Sequence, residues 1–144
     1  MNDRTLRVAA GCVALAGVAV AGYLTWVHYA GLEPVCVGGG GGCERVQSSR
    51  WAELAGIPVA VLGLAGYVGI LASLALPEEP GALVAAFLAL VGFGFSCWLT
   101  YVEIAKIDAI CQWCVASAVI MTALALVGVA RVLRGAPPHA APAA

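Results

Sequence analysis

Four long apolar stretches alternate with short polar segments along the chain. The apolar stretches cover about residues 8–29, 56–76, 81–102 and 109–132. Charged residues are concentrated between them, in residues 33–53, 77–81 and 102–108. An α-helix needs roughly twenty apolar residues to cross the ~30 Å hydrocarbon layer of a bilayer. The pattern therefore predicts an all-α integral membrane protein, a four-transmembrane-helix bundle with both termini on one side of the membrane.

The composition agrees with a membrane protein. Of the 144 residues 62% are hydrophobic and 10% are charged, and the mean hydropathy is +0.98, far above that of soluble domains. The formal net charge is −1 without any Lys/Arg cluster, so no basic surface is available to a nucleic acid. The first stretch is also compatible with a signal peptide, although its length favours a membrane anchor. Residues 1–135 are expected to form one membrane domain, and the Pro/Ala-rich residues 136–144 a disordered tail.

Six cysteines divide into two pairs and two single residues. Cys12 and Cys97 lie within predicted spans, where a free thiol behaves as a small hydrophobic side chain. Cys36 and Cys43 flank a run of five glycines at residues 38–42. Glycine restricts the backbone least, so this loop can close a disulfide without strain and release one end when the bridge opens. The loop therefore favours a mobile redox pair, while a purely structural disulfide remains an alternative.

The second pair, Cys111 and Cys114, forms a Cys-x-x-Cys motif at the start of the last apolar stretch. Asp108 is predicted to cap this helix, which would place Cys111 in its first turn. Unpaired N–H groups and the helix dipole favour a thiolate there, so the motif is interpreted as redox-active. Zinc sites prefer two closely spaced cysteine pairs, and the wide spacing of the loop pair predicts that no metal is bound.

All four paired cysteines fall at one predicted face of the membrane, together with the four tryptophans. The distribution of Arg and Lys leaves the orientation open. Clustered thiols are most easily explained on the oxidising side, which predicts cytoplasmic termini and extracytoplasmic cysteines. The mixed apolar and charged residues 44–54 are expected to form a short interfacial helix over the bundle, or an ordinary connector.

Three motifs occur in a specific order: C-x6-CERVQSSRW, then GIPVAVLGLAGY, then CQWC. In this combination the chain resembles the vitamin K epoxide reductase family in its bacterial form, from the first span to Arg134. The resemblance implies a helical bundle around a quinone, either ubiquinone or menaquinone, covered by a loop and a half-helix. It also implies that the loop pair oxidises a separate thioredoxin-fold (DsbA-like) partner, is reoxidised by the Cys-x-x-Cys pair, and so supports disulfide formation.

Residue roles follow from the same resemblance. Cys36 would exchange with the partner, Cys43 with Cys111, and Cys114 would face the quinone. The residues implied to contact the quinone are Val46, Gln47, Trp51, Leu62 and Ala118, where Trp51 is equally compatible with an interfacial aromatic belt.

Other features limit or compete with this interpretation. Ala118 replaces a tyrosine of the animal enzymes, so quinone reduction is expected rather than epoxide reduction. Glu103 and Lys106 lie at the outer boundary and could help to protonate a quinone, but they are expected to be solvated loop charges. A second four-span family of thiol oxidases has its two cysteine pairs in the opposite order. A structural or metal-binding membrane protein with stapling disulfides is the alternative from another functional class.

Overall fold

The computed structural model describes residues 2–38 and 41–135, and most of them are helical. Five α-helices follow one another: α1 Asp3–Ala30, α2 Gly42–Gln47, α3 Val59–Ser73, α4 Glu78–Val102 and α5 Gln112–Gly135. Between α2 and α3 lie a 3-10 turn, Arg50–Ala52, and two paired antiparallel strands, β1 Glu53–Leu54 and β2 Ile57–Pro58. A π-helical turn, Glu103–Ile107, continues α4. The tail predicted at residues 136–144 lies outside the described residues.

Three of the helices are long and apolar enough to cross a membrane: α1, α5, and α4 together with its π-helical turn. Helix α3 is equally apolar but has 15 residues, which span about 22 Å. It starts later than the predicted stretch because the chain first turns through Ala55 and Gly56, which have φ angles of 54° and 80°. This left-handed turn closes the small β-hairpin and cannot continue as a helix.

The last span also begins later than predicted. Asp108 has a φ of 54° and ends the π-helical turn, so its expected role as the N-cap of the last helix is wrong. Helix α5 instead starts at Gln112, and the carbonyl of Cys111 accepts its first hydrogen bond from Val115 N, at 3.0 Å. Cys111 therefore occupies the position just before the helix rather than its first turn.

Small side chains allow the helices to pack closely. Helix α1 packs against α3 and α5, and α4 packs against α3 and α5. The fully buried Tyr67 of α3 lies against Gly17, where an added Cβ would come within 2.4 Å of the tyrosine ring. Its hydroxyl lies 2.7 Å from Ser117 Oγ on α5. Such small-residue contacts are typical of helices in membranes, where packing rather than burial from water holds the bundle together.

The two ends of the bundle differ in character. At one end the Nε of Arg131 donates to Asp3 Oδ1 at 3.0 Å, which ties the last helix to the first. At the other end the rings of Tyr23 and Trp113 lie 4.9 Å apart, beside the cysteines. The start of α1 and the end of α5 therefore lie together, at the end of the bundle opposite the cysteine pairs.

The Asp3–Arg131 ion pair provides a test of this helix arrangement. Replacing Asp3 by Asn leaves the buried Arg131 without its counter-charge. We expect a loss of about 2–3 kcal/mol in unfolding free energy, below the usual cost of breaking a buried pair because the Asp3 side chain is 34% exposed. Thermal unfolding in detergent measures the change. Asp108→Asn is the matched control, since Asp108 is exposed and asparagine tolerates its left-handed backbone. Equal stability of the two variants would contradict a stabilising role of the Asp3–Arg131 ion pair.

Candidate redox site

The loop cysteines are joined in a disulfide, Cys36–Cys43, with a Cα–Cα distance of 6.2 Å. The two ends of this bridge lie in different environments, because Cys43 is 1% exposed whereas Cys36 is half-buried. Two of the neighbouring glycines, Gly38 and Gly41, have φ angles of 100° and 64°. These left-handed conformations suit glycine, so the loop needs glycine at these two positions for its backbone geometry.

Cys111 and Cys114 are free thiols. Cys111 is fully buried, and it packs with Cys43 and Val46 in one apolar cluster. Cys36 and Cys114 lie against the margin of the same cluster. The structure thus brings all four paired cysteines together, with the inner cysteine of the loop beside the first cysteine of the Cys-x-x-Cys motif.

Polar groups from two other elements approach the Cys-x-x-Cys pair. From α2, Gln47 Nε2 donates to Cys114 Sγ at 3.5 Å and lies 3.9 Å from Cys111 Sγ. From the π-helical turn, Glu103 Oε2 accepts the Cys111 N–H at 3.1 Å. The pair is therefore held between an amide donor and a carboxylate acceptor.

Cys111 has the properties of a reactive thiol. A hydrogen bond with the Cys114 side chain lowers the pKa of Cys111 from its usual 9.0 to about 7, against the opposing effect of burial. The backbone N–H groups of Cys114 and Trp113 and the amide of Gln47 also favour the thiolate. The sequence also predicts a lowered pKa for Cys111, but the leading cause in the structure is the neighbouring Cys114 thiol rather than the helix dipole.

A cavity of about 350 Å³ adjoins the pair. Cys114 and Ser117 of α5 form one side of it, and residues of α1, α3, α4 and the segment between α1 and α3 form most of the remainder. Its volume falls within the range of small-molecule sites, which are mainly apolar with a few polar groups. Leu62 of α3 and Val91 of α4 line the cavity and are also exposed on the outside of the helices, so the cavity reaches the lateral surface of the bundle.

A model of the vitamin K epoxide reductase family matches residues 8–129, most of the chain. The chain belongs to the vitamin K epoxide reductase family. This membership, together with the cysteines, indicates a membrane thiol–disulfide oxidoreductase. The family is associated in general with quinones and with thioredoxin-like partners.

Most of the quinone contacts implied for a member of the vitamin K epoxide reductase family lie on the cavity wall. Val46, Gln47 and Trp51 line it from the segment before α3, and Leu62 lines it from α3. Ala118 is not among the described residues that line the cavity; the preceding residue of α5, Ser117, takes that position. The two residues differ by a rotation of about 100° around the helix axis, and the quinone contact at Ala118 stays a prediction.

The burial of Glu103 differs from the expectation for this family member. Glu103 was expected to be solvated, yet it is 4% exposed and lines the cavity, whereas Lys106 is exposed as expected. The reason is local, because the π-helical turn that starts at Glu103 rotates its side chain toward Cys111. π-Helical turns frequently occur at functional sites, but hydropathy does not reveal them.

The described residues contain no group of three or more His, Cys, Asp or Glu side chains arranged to hold a metal ion. The four paired cysteines are instead divided between one closed bridge and one pair of thiols. This arrangement suits thiol–disulfide exchange, which needs a thiol beside a disulfide.

Proposed function

We propose that the chain is a quinone-dependent thiol oxidoreductase that reoxidises a separate thioredoxin-fold protein outside the cytoplasm and so supports disulfide bond formation. One observation carries the proposal: the four cysteines form a path from the surface to the cavity. Cys36 is partly exposed, Cys43 and Cys111 are buried against each other, and Cys114 lines the cavity. A structural staple would not need its inner cysteine packed against a second redox pair.

The path accounts for a two-electron transfer in three steps. The partner dithiol reduces the Cys36–Cys43 disulfide through attack on Cys36, and the partner becomes a disulfide. Cys43 then attacks Cys111 of the oxidised Cys-x-x-Cys pair, Cys36 resolves the mixed disulfide, and Cys111 and Cys114 become thiols. Finally the Cys111–Cys114 pair closes its disulfide and passes two electrons to the quinone, which takes up two protons.

The cavity residues fit a quinone. Val46 and Leu62 supply apolar contact, the Trp51 ring offers a flat aromatic face, and the Gln47 amide provides a polar group beside Cys114. We propose Ser117 in place of Ala118 as the contact from α5. The bound quinone would supply a two-electron acceptor next to the thiols. Because Leu62 and Val91 reach the outer surface, a lipid-soluble molecule can enter directly from the bilayer.

The arrangement in the membrane completes the proposal. Residues 1–135 act as one membrane domain in which α1, α3, α4 and α5 all cross the bilayer, with the short α3 extended by the segment that carries α2 and the hairpin. That segment covers the quinone from outside. Both termini are cytoplasmic and the cysteine pairs face the oxidising compartment, where disulfides persist.

Quinone reduction in detergent tests the function. Purified protein, supplied with a small dithiol and a soluble ubiquinone or menaquinone analogue, is expected to reduce the quinone catalytically. Protein whose thiols were reduced and alkylated beforehand is expected to show only the background rate. A structural or metal-binding protein would instead keep disulfides that resist exchange, or would hold stoichiometric metal, and either result without quinone reduction contradicts the proposal.

Filling the cavity tests the quinone site separately. Gly66 lines the cavity, and a Cβ added there would meet no atom within 4 Å. We expect Gly66→Leu to raise the KM for quinone about 10-fold or more, because the side chain occupies space that the ring needs. Helix stability should not suffer, since leucine is a better helix former than glycine. The measurement is initial rate against quinone concentration.

The matched control is Gly94→Leu. Gly94 lies on α4, is exposed, and likewise has no atom within 4 Å of an added Cβ, but it does not line the cavity. This variant is expected to keep the wild-type KM. Equal KM values for wild type and both variants would place the quinone elsewhere.

A further inference from the structure

The buried carboxyl of Glu103 has no assigned role in the electron path described above. It is the first residue of the π-helical turn, and one of its oxygens accepts the Cys111 N–H at 3.1 Å. The same carboxyl interacts electrostatically with the nearby Cys114 thiol. Both Glu103 and Cys114 line the cavity. Glu103 therefore contacts Cys111 directly and shares with Cys114 the space next to the redox pair.

The surroundings of Glu103 do not explain it as half of an ion pair. The ionisable groups that face it are the thiols of Cys111 and Cys114. On the neighbouring elements Lys106 is exposed, and Arg45 donates to the carbonyl of Ile107 at 3.3 Å. Among the described residues that line the cavity, Glu103 and Cys114 are the two that can release a proton. A buried carboxyl is costly, and a neutral side chain would accept the Cys111 N–H equally well.

We propose that Glu103 is the proton carrier of the last step: it accepts the proton of the Cys114 thiol and delivers it to the quinone oxygen. The proposal rests on the proposed function, since it needs a quinone as the electron acceptor. The geometry favours Glu103 because its carboxyl is held at 3.1 Å from the Cys111 N–H and lines the same cavity as Cys114. Hydrogen bonds that transfer protons in catalysis often tighten only when the substrate is bound.

The step balances in atoms and electrons. Cys111 starts as a thiolate and Cys114 as a thiol. The Cys114 proton moves to the Glu103 carboxylate, the two sulfurs form a disulfide bond, and two electrons leave to the quinone. One proton from the Glu103 carboxyl and one from solvent complete the hydroquinone. Glu103 returns to the carboxylate, so one thiolate, one thiol, one quinone and one solvent proton yield one disulfide and one hydroquinone.

Glu103→Gln separates proton transfer from a merely structural role. The amide oxygen still accepts the Cys111 N–H, but the side chain no longer takes up a proton. We expect the rate of quinone reduction to fall about 100-fold, the lower part of the usual effect of a general acid–base group. In the wild type the rate should rise with pH as Glu103 and Cys111 lose their protons. In Glu103→Gln only the rise that belongs to Cys111 should remain. Glu103→Asp, which keeps a carboxyl, should retain both parts of the profile at a reduced rate.

A second readout requires no quinone. The reduction potential of the Cys111–Cys114 pair is measured against pH in a thiol–disulfide buffer. Closing the disulfide removes the Cys114 thiol, so a Glu103 carboxyl that exchanges a proton with this thiol changes its protonation when the pair is oxidised. The plot of the wild-type reduction potential against pH should therefore change slope where Glu103 ionises, and the plot for Glu103→Gln should lack this change. Glu79→Gln, an exposed residue at the other end of α4, should match the wild type.

The outcomes distinguish the two proposals. If wild type and Glu103→Gln reduce quinone at the same rate, with the same pH profile and the same potential curve, Glu103 is not the proton carrier. If the wild type reduces no quinone, the proposed function fails. The potential curve still decides whether Glu103 exchanges a proton with the pair, and an unchanged curve overturns the assignment.

Discussion

A chain that carries both Cys36→Ser and Cys114→Ser is expected to hold Cys43 and Cys111 in one stable disulfide and to reduce no quinone. Both remaining cysteines are buried in the same cluster, 1% and 0% exposed. In the wild type a bridge between them would be resolved by Cys36 or by Cys114. Without either resolving thiol the transfer intermediate becomes the end product. Peptide mapping under non-reducing conditions, after mild oxidation, identifies the bridge.

The reciprocal variant is the control. Cys43→Ser with Cys111→Ser leaves Cys36 and Cys114, one half-buried at the outer margin and one on the cavity wall. Little bridging is expected here, although the number of free thiols is the same. Cys12 and Cys97 are exposed within their helices and remain in both variants. Equal bridging in the two variants, or none in the first, would contradict the electron path from Cys43 to Cys111.

The helical framework was largely predictable because hydropathy decides it. Each apolar stretch overlaps one of the four long helices, and the paired cysteines lie in the segment between α1 and α3 and at the start of α5. The helix ends were less accurate, since they depend on single residues in left-handed conformations. Ala55 and Asp108 both have positive φ angles, although neither is glycine. Asp also favours helix N-caps, so its residue type alone does not distinguish a cap from a left-handed turn. The shortened α3 and the later start of α5 follow from these two residues.

The site was predictable in its thiols and incompletely predictable in its surroundings. Spacing distinguishes the two cysteine pairs, because the glycine run and the Cys-x-x-Cys motif are both local patterns. The contacts of Gln47 and Glu103 with the fixed pair join residues 64 and 8 positions from Cys111. They exist only once α2 has docked and the π-helical turn has formed, so no periodicity encodes them. The same holds for Ser117, which faces the cavity because of the rotation of α5.

Gly42 allows a close approach between two backbone segments. It is the first residue of α2 and directly precedes Cys43. A Cβ added to Gly42 would lie 2.5 Å from the carbonyl oxygen of Ile110, the residue before Cys111. Real Cβ atoms do not approach a backbone oxygen this closely. The two backbones therefore approach each other at this point because residue 42 has no side chain, and that approach sets the separation of Cys43 and Cys111.

Gly42→Ala is accordingly expected to slow the transfer between the two pairs about 100-fold, the cost of displacing reacting groups by about 1 Å. The rate is measured as formation of the Cys43–Cys111 bridge in the chain that also carries Cys36→Ser and Cys114→Ser. Gly22→Ala in the same background is the control, because an added Cβ there meets no atom within 4 Å. If bridging proceeds equally fast in both, α2 shifts without penalty, and glycine at residue 42 contributes mobility rather than close approach.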